Sequence, residues 1–368
     1  MTTISGVRRT FPLRVTPVAG EALDSWLEFI AYRHHTPPAT ILRYCGIQPQ
    51  VFLHSWLVRP DTAQVERLAA VTGTQPDQLI AGTLHSYVGI ETDGRARTAR
   101  PRPSAWGWRA SSRLCPHCLA DSGGRWQIAW RLNWSFACLA HHRLLVESCP
   151  HCGGRLRWGT LLAREVPTPG RCARAYLDRV RQTAASCSAD LTQASGLSLA
   201  AAHPAINAQR VIDTLLSRGP VGLPLYRDSQ TTRGQILRDI KIIARWAIYN
   251  ATTAELGRCG IDDLVRELGR ANVHRWSNVA VNSSSVSVNP MAAEAAIGLI
   301  IATNIVSAPN RGAAARELAR LMRSARTADR HCAIPGRAAL TAPLRHVHAT
   351  AHDSVTVDLA EATTAGPS

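Results

Sequence analysis

The sequence predicts a mainly α-helical protein in which two helical regions flank a cysteine-rich centre. Three observations carry this. Apolar residues recur at helical spacing near the start, in Trp26, Leu27, Ile30 and Ala31. They recur again in the long Ala-, Leu- and Ile-rich stretches of the last third, such as residues 235–246, 291–305 and 313–322. Between them, residues 113–154 hold two Cys-x-x-Cys pairs and a Cys-x-x-His. The order predicted is an N-terminal helical domain (1–92), a basic linker (93–112), a cysteine-rich region (113–192), a helical C-terminal domain (193–330) and a tail (331–368) whose end is mobile.

The N-terminal domain opens with an extended segment, Phe11 to Pro17, before the helix carrying Trp26. A second short helix is expected from Thr40 to Cys45. Asp61 is placed to cap a helix that turns Val65, Leu68 and Ala69 inward, Gly73 stands where that helix must end, and Thr74 or Pro76 begins the next. Helix, glycine turn and helix make a helix-turn-helix-like layout, which serves DNA reading in some proteins and plain packing in others. The linker gathers Arg95, Arg97, Arg100, Arg102 and Arg109 with Trp106 and Trp108. The arginines are candidate phosphate contacts, with a solvated spacer as the alternative.

In the centre, Cys115, Cys118, Cys138 and His141 make one complete donor set, and Cys149 with Cys152 open a second that must be closed from downstream. Thiolate and imidazole are the donors of structural Zn²⁺, and a two-residue gap lets both sulfurs of a turn reach one ion. A thioredoxin-like site would need its Cys-x-x-Cys to open a helix after an apolar strand, and the flanking residues are polar and glycine-rich instead. A catalytic zinc would keep one position open, whereas the first set already has four ligands; His142 is an alternative donor beside His141. Trp126, Trp130 and Trp134, four apart, predict one helix face packed on the cysteine turns. Cys45, Cys259 and Cys332 are left over as buried thiols.

Composition narrows the classes. The net charge is +16, with a single lysine, Lys241, so the cations are almost all arginine. An arginine-rich coding bias explains the choice of cation but not its surplus over acids, and the surplus points to a polyanion, most simply nucleic acid. The first residues lack the apolar run of a signal peptide, and no apolar run reaches the roughly eighteen residues of a membrane span. A cytoplasmic protein with metal-bound rather than disulfide-bonded cysteines is expected. No Gly-rich phosphate loop ending in Gly-Lys-Ser/Thr is present, nor a carboxylate triad placed by spacing, so no enzyme is predicted.

Three pieces in order resemble the TniQ family, the target-selection proteins of transposons with heteromeric transposases. They are Pro12-Leu13-Arg14 with Pro17, Gly20-Glu21 and Leu23-Asp24-Ser25-Trp26-Leu27; the block from Cys115-Pro116-His117-Cys118-Leu119 through Cys138, His141 and Leu144-Leu145 to Cys149-Pro150-His151-Cys152-Gly153; and a helical tail. The resemblance covers about half the chain. It implies two structural zinc ions, DNA binding, and work beside a transposition AAA+ ATPase and a transposase, directly or through an RNA-guided targeting complex; a homodimer is compatible with it. In the family the second site is closed by a further Cys-x-x-Cys. Cys187, followed by Asp190-Leu191, resembles its end, but the partner position holds Ala184. Cys172 is the nearest substitute, since doubling a loop costs only about 0.6 kcal/mol of closure entropy; an incomplete site is the alternative. A zinc-containing helix-turn-helix transcription regulator is the competing function.

Overall fold

The computed structural model describes residues 10–49, 56–58, 60–88, 107, 109, 111–157, 166–178, 183–217, 222–271, 290–328, 330, 334 and 339–364. The chain folds into two units, one of residues 1–135 and 145–196, the other of residues 136–144 and 197–368.

In the first unit, α1 (Leu23–Arg33) buries Trp26, Leu27, Ile30 and Ala31. α2 (Pro38–Tyr44) starts on a proline at its first turn, where a missing N–H costs nothing. The segment before α1 is a strap. Phe11 N–H donates to Val71 O at 2.8 Å, and Trp26 Nε1–H donates to Val15 O at 2.8 Å. α3 (Thr62–Thr72) is capped by the Asp61 side chain and buries Val65, Leu68 and Ala69. Gly73 ends it at φ +70°, and the Arg14 guanidinium lies against that turn. α4 (Pro76–Ala81) follows, with Pro76 in its first turn. Helix, glycine turn and helix thus follow one another as the sequence predicts.

The sequence divides residues 1–92 from 113–192, yet apart from residues 136–144 both lie in this one unit, and buried charge explains why. Glu21, Asp24 and Glu28 point into the protein, where Arg125 pairs with Glu21 at 3.0 Å, Arg131 with Asp24, and Arg157 with both Asp24 at 2.7 Å and Glu28 at 2.6 Å. Ala22 N–H also donates to Trp126 O, and Ser25 Oγ accepts from Trp126 N–H. Burial alone would raise the Asp24 carboxyl, but the Arg131 and Arg157 guanidinium groups outweigh it and hold the pKa at about 2. Removing either side of such a pair strands a buried charge, at a cost of about 3–5 kcal/mol. The tryptophan stretch is corrected too. Trp126, Trp130 and Trp134 are buried as a core, but Ile128–Arg131 is one 3₁₀ turn between extended residues, not a longer helix. The preceding glycines Gly123 and Gly124 both have positive φ, and Glu21 bridges Gln127, so the backbone is committed to turns and pairing there.

Among the described residues the second unit is helical apart from the hairpin of β1 (Ala137–Cys138) and β2 (Arg143–Leu144). Its helices are α6 (Pro204–Leu216), α7 (Arg233–Asn250), α8 (Thr253–Arg258), α9 (Asp262–Ala271), α10 (Ala292–Val306), α11 (Arg311–Thr327) and α12 (Ala342–Thr364). α10 is apolar nearly all round and forms the centre, packed on α6 and α7. Gly298 lets it cross α7 closely, since a Cβ there would meet Ala244 O and the Ile248 side chain. Gln209 on α6 accepts at Oε1 from the N–H groups of Phe136 and Ala137 and so holds β1. The tail is corrected: α12 runs to Thr364, and Leu344, Val347, Ala351 and Val355 are buried along one face against α11. Its start is pinned by Asp239 on α7, which accepts from Thr341 N–H at 3.0 Å and from Tyr226 Oη–H at 2.9 Å.

Candidate metal centres

All eight predicted metal ligands gather in two groups of four. Cys115, Cys118, Cys138 and His141 form one, Cys149, Cys152, Cys172 and Cys187 the other, and within each group the donor atoms lie within 4.8 Å of one another. Cys115 caps α5 (Pro116–Asp121), a six-residue helix that carries Cys118 one turn on. Cys138 ends β1, and the turn to β2 brings His141 back until its Nδ1 is 3.6 Å from Cys138 Sγ. Leu114 and Val146 exchange N–H···O bonds of 2.9 and 2.8 Å, which ties the segment before Cys115 to the one that leads to Cys149.

The second group has a different frame. Cys149 and Cys152 sit in a knuckle closed by Gly153 N–H to Cys149 O and Cys149 N–H to Gly154 O, both 2.9 Å. The other two ligands come from the ends of a hairpin, β3 (Ala175–Asp178) against β4 (Thr183–Ser186). Cys187 N–H donates to Arg174 O, and Cys172 exchanges bonds with Ala189 O and Ser188 N–H, all 2.9 Å. Antiparallel pairing thus brings Cys172 to Cys187 across the loop. Ala184, paired with Leu177 in β4, stands in extended backbone that cannot make a knuckle turn.

The donors fit a tetrahedral ion of the zinc type. Cys149 and Cys187 Sγ are 3.8 Å apart, as are Cys152 and Cys172 Sγ. Zn–S bonds of about 2.3 Å in a tetrahedron set sulfurs about 3.8 Å apart, so these are coordination edges. His151 Nδ1 lies 3.5 Å from Cys187 Sγ, where an N–H can orient the ligand. Burial pushes the Cys172 thiol up, with Cys149 and Cys152 adding to it. Burial also acts on Cys149, but the amides of Cys152 and His151 outweigh it and lower that thiol. Binding a metal requires thiolates, so loading this group releases protons.

Residues 12–145 match the TniQ family model. The chain carries a TniQ domain. A TniQ domain suggests a transposition-associated protein, and the match takes in the strap, α1 to α5 and the first four-donor group. The second group and the helices from α6 on lie beyond the matched TniQ residues. No curated protein matches the chain.

The predicted phosphate contacts fare differently. Arg95, Arg97, Arg100 and Arg102 lie outside the described residues, as do Trp106, Trp108 and Cys332. Arg109 is corrected: it is buried and pairs with Glu147 at 2.7 Å, beside Arg113 on the same carboxylate at 3.0 Å, so its charge serves the fold rather than an open surface. Cys45 is buried and Cys259 half-buried. The sequence reading missed Arg125, Arg131 and Arg157, although acids at 21, just before α1, and at 24 and 28 on it call for internal cations. Among the described residues no helix is long and apolar enough to cross a membrane.

Proposed function

We propose that this chain is a non-catalytic transposition adaptor, which selects a target by binding DNA or a targeting complex and brings an AAA+ ATPase and a transposase to it. The observation that carries this reading is the TniQ match over residues 12–145. Two groups of four soft donors support it, because a metal with four protein ligands has no open position for chemistry and serves as a staple. Both ions are Zn²⁺ on this reading, held by Cys115, Cys118, Cys138 and His141 and by Cys149, Cys152, Cys172 and Cys187. The linker residues Arg95, Arg97, Arg100 and Arg102 meet phosphates, consistent with the net charge of +16. An adaptor contributes effective concentration: joining target and machinery makes the second encounter intramolecular.

The competing transcription-regulator reading leans on α3 and α4 as a DNA reader. Their surface argues against it, since Asp61, Glu66 and Asp77 outnumber Arg67 and α4 carries no cation. A reconstituted insertion reaction with its ATPase and transposase tests the proposal. Omitting this chain should abolish insertion at the preferred site. Unchanged insertion without it, or strand nicking or joining by the chain alone, would overturn the adaptor reading.

A further inference from the structure

We infer that the outward ridge of α11 binds the phosphate backbone of duplex DNA. The inference rests on the adaptor reading for one point, that the chain meets DNA directly, and it assigns that contact to a surface of the second unit. Residues 311–330 hold six arginines against two carboxylates, Glu317 and Asp329. Helical spacing sorts them. Ala314, Leu318, Leu321, Met322 and Ala325 are buried, and Arg316, Arg320 and Arg323, at i, i+4 and i+7, run along the opposite side. Arg316, Arg323 and Arg326 are exposed. With about 1.5 Å of rise per residue, Arg316 and Arg323 stand about 10 Å apart along the axis.

The neighbouring helices hold the ridge in place. On the side of Arg320 and Ser324 lies α8: its cap Thr252 has Oγ1 2.6 Å from Ser324 Oγ, and Glu255 takes Arg258 on one carboxylate oxygen at 3.0 Å and Arg320 on the other at 3.2 Å. α12 meets Arg323 instead, which donates to Ser354 Oγ at 3.1 Å. Just past α11, Arg330 donates to Ala251 O at 2.7 Å. Glu255 and Glu317 are thereby taken: the first is buried between two arginines, and the second pairs with Arg320. Arg316 and Arg326 have no polar partner among the described residues. Such a row works against the fold, since like charges three and four apart on a helix repel. A polyanion relieves the repulsion, and its condensed counterions are released as the guanidinium groups replace them. α11 contains no aromatic residue, so it offers nothing for unpaired bases to stack on. A duplex carries twice the charge of one strand per length of axis, which makes it the better match for a rigid row of cations.

Titration of the full zinc-loaded chain with a labelled mixed-sequence DNA duplex, at several salt concentrations, tests the inference. Arg316→Gln with Arg323→Gln removes two ridge charges. It should weaken binding about tenfold and lower the slope of log affinity against log salt by about 2, with the melting temperature unchanged. Arg316→Lys with Arg323→Lys should keep most of the parental slope, since a point charge serves a phosphate. Arg210→Gln with Arg227→Gln removes the same net charge from exposed positions off α11, and should bind as the parent does. An unchanged slope in the ridge variant would overturn the inference. So would an equal loss in the Arg210 and Arg227 control, which would trace binding to net charge alone. Tighter binding of a single strand than of the duplex, or loss of a protein partner with duplex affinity intact, would overturn it too. In each of these cases the adaptor reading stands. A parent that binds no duplex would overturn the inference and leave the adaptor to act through a targeting complex, which the insertion reaction tests separately.

Discussion

The two four-donor groups do the same job by different routes. The first is made of short turns: a pair of cysteines around α5, then a cysteine and a histidine around the β1–β2 turn. The second has one such turn, Cys149 to Cys152, and obtains its other half from Cys172 and Cys187, which only the pairing of β3 with β4 brings together. Short turns supply both halves of the first, whereas long-range backbone pairing supplies half of the second. Around a dication, three thiolates and an imidazole leave about −1, and four thiolates about −2, so the second centre also depends more on its surroundings for charge balance.

Breaking the first group should therefore cost most. Cys115→Ser or Cys138→Ser removes a ligand on which the packing of α5 or of the β1–β2 turn depends, and the expected loss is about 4–5 kcal/mol or more, read as loss of the cooperative thermal transition. A retained transition would remove the ion from that position. Cys172→Ser should release one ion and loosen the β3–β4 hairpin, at about 2–3 kcal/mol, while the first ion stays. Adding Ala184→Cys to that variant sharpens the comparison. It should not restore the second ion, because residue 184 lies within a strand. Recovery of two ions would mean that the knuckle geometry can form there after all.

Gly124 links the frames of the two centres. Its φ is +88°, and a Cβ there would meet the backbone of Pro169 and Gly170, just ahead of Cys172. Gly124→Ala should cost about 1–3 kcal/mol and speed removal of the second ion by a chelator, with the first less affected. The smallest effect is expected from His151→Ala, which removes the exposed ring beside Cys187 Sγ. Metal affinity at the second centre should fall about tenfold with little change in melting. A fall at both centres would contradict the assignment of that ring to the second.

How far the sequence reaches follows the same division. The buried face of α1, the Asp61 cap and Gly73 at the end of α3 were readable because each depends on residues within a few positions of one another, and the first ligand set because it consists of two such short-range pairs. The closing ligand Cys172 was reached only through a family resemblance, since the hairpin that delivers it is built by pairing across a loop. Arg109 looked like part of a basic linker because its partner Glu147 lies far along the chain. The tryptophans have helical spacing, but spacing cannot reveal that the preceding glycines have turned the backbone elsewhere. In α12 the His-, Ala- and Thr-rich composition hid the sparse apolar stripe of Leu344, Val347, Ala351 and Val355.

Two closed metal centres are the central claim, and metal analysis of the purified full-length chain tests them most directly. The account predicts about two equivalents of zinc per chain in the parent protein and about one in Cys172→Ser, with chelation of both destroying the fold. One equivalent in the parent, unaltered by Cys172→Ser, would contradict it.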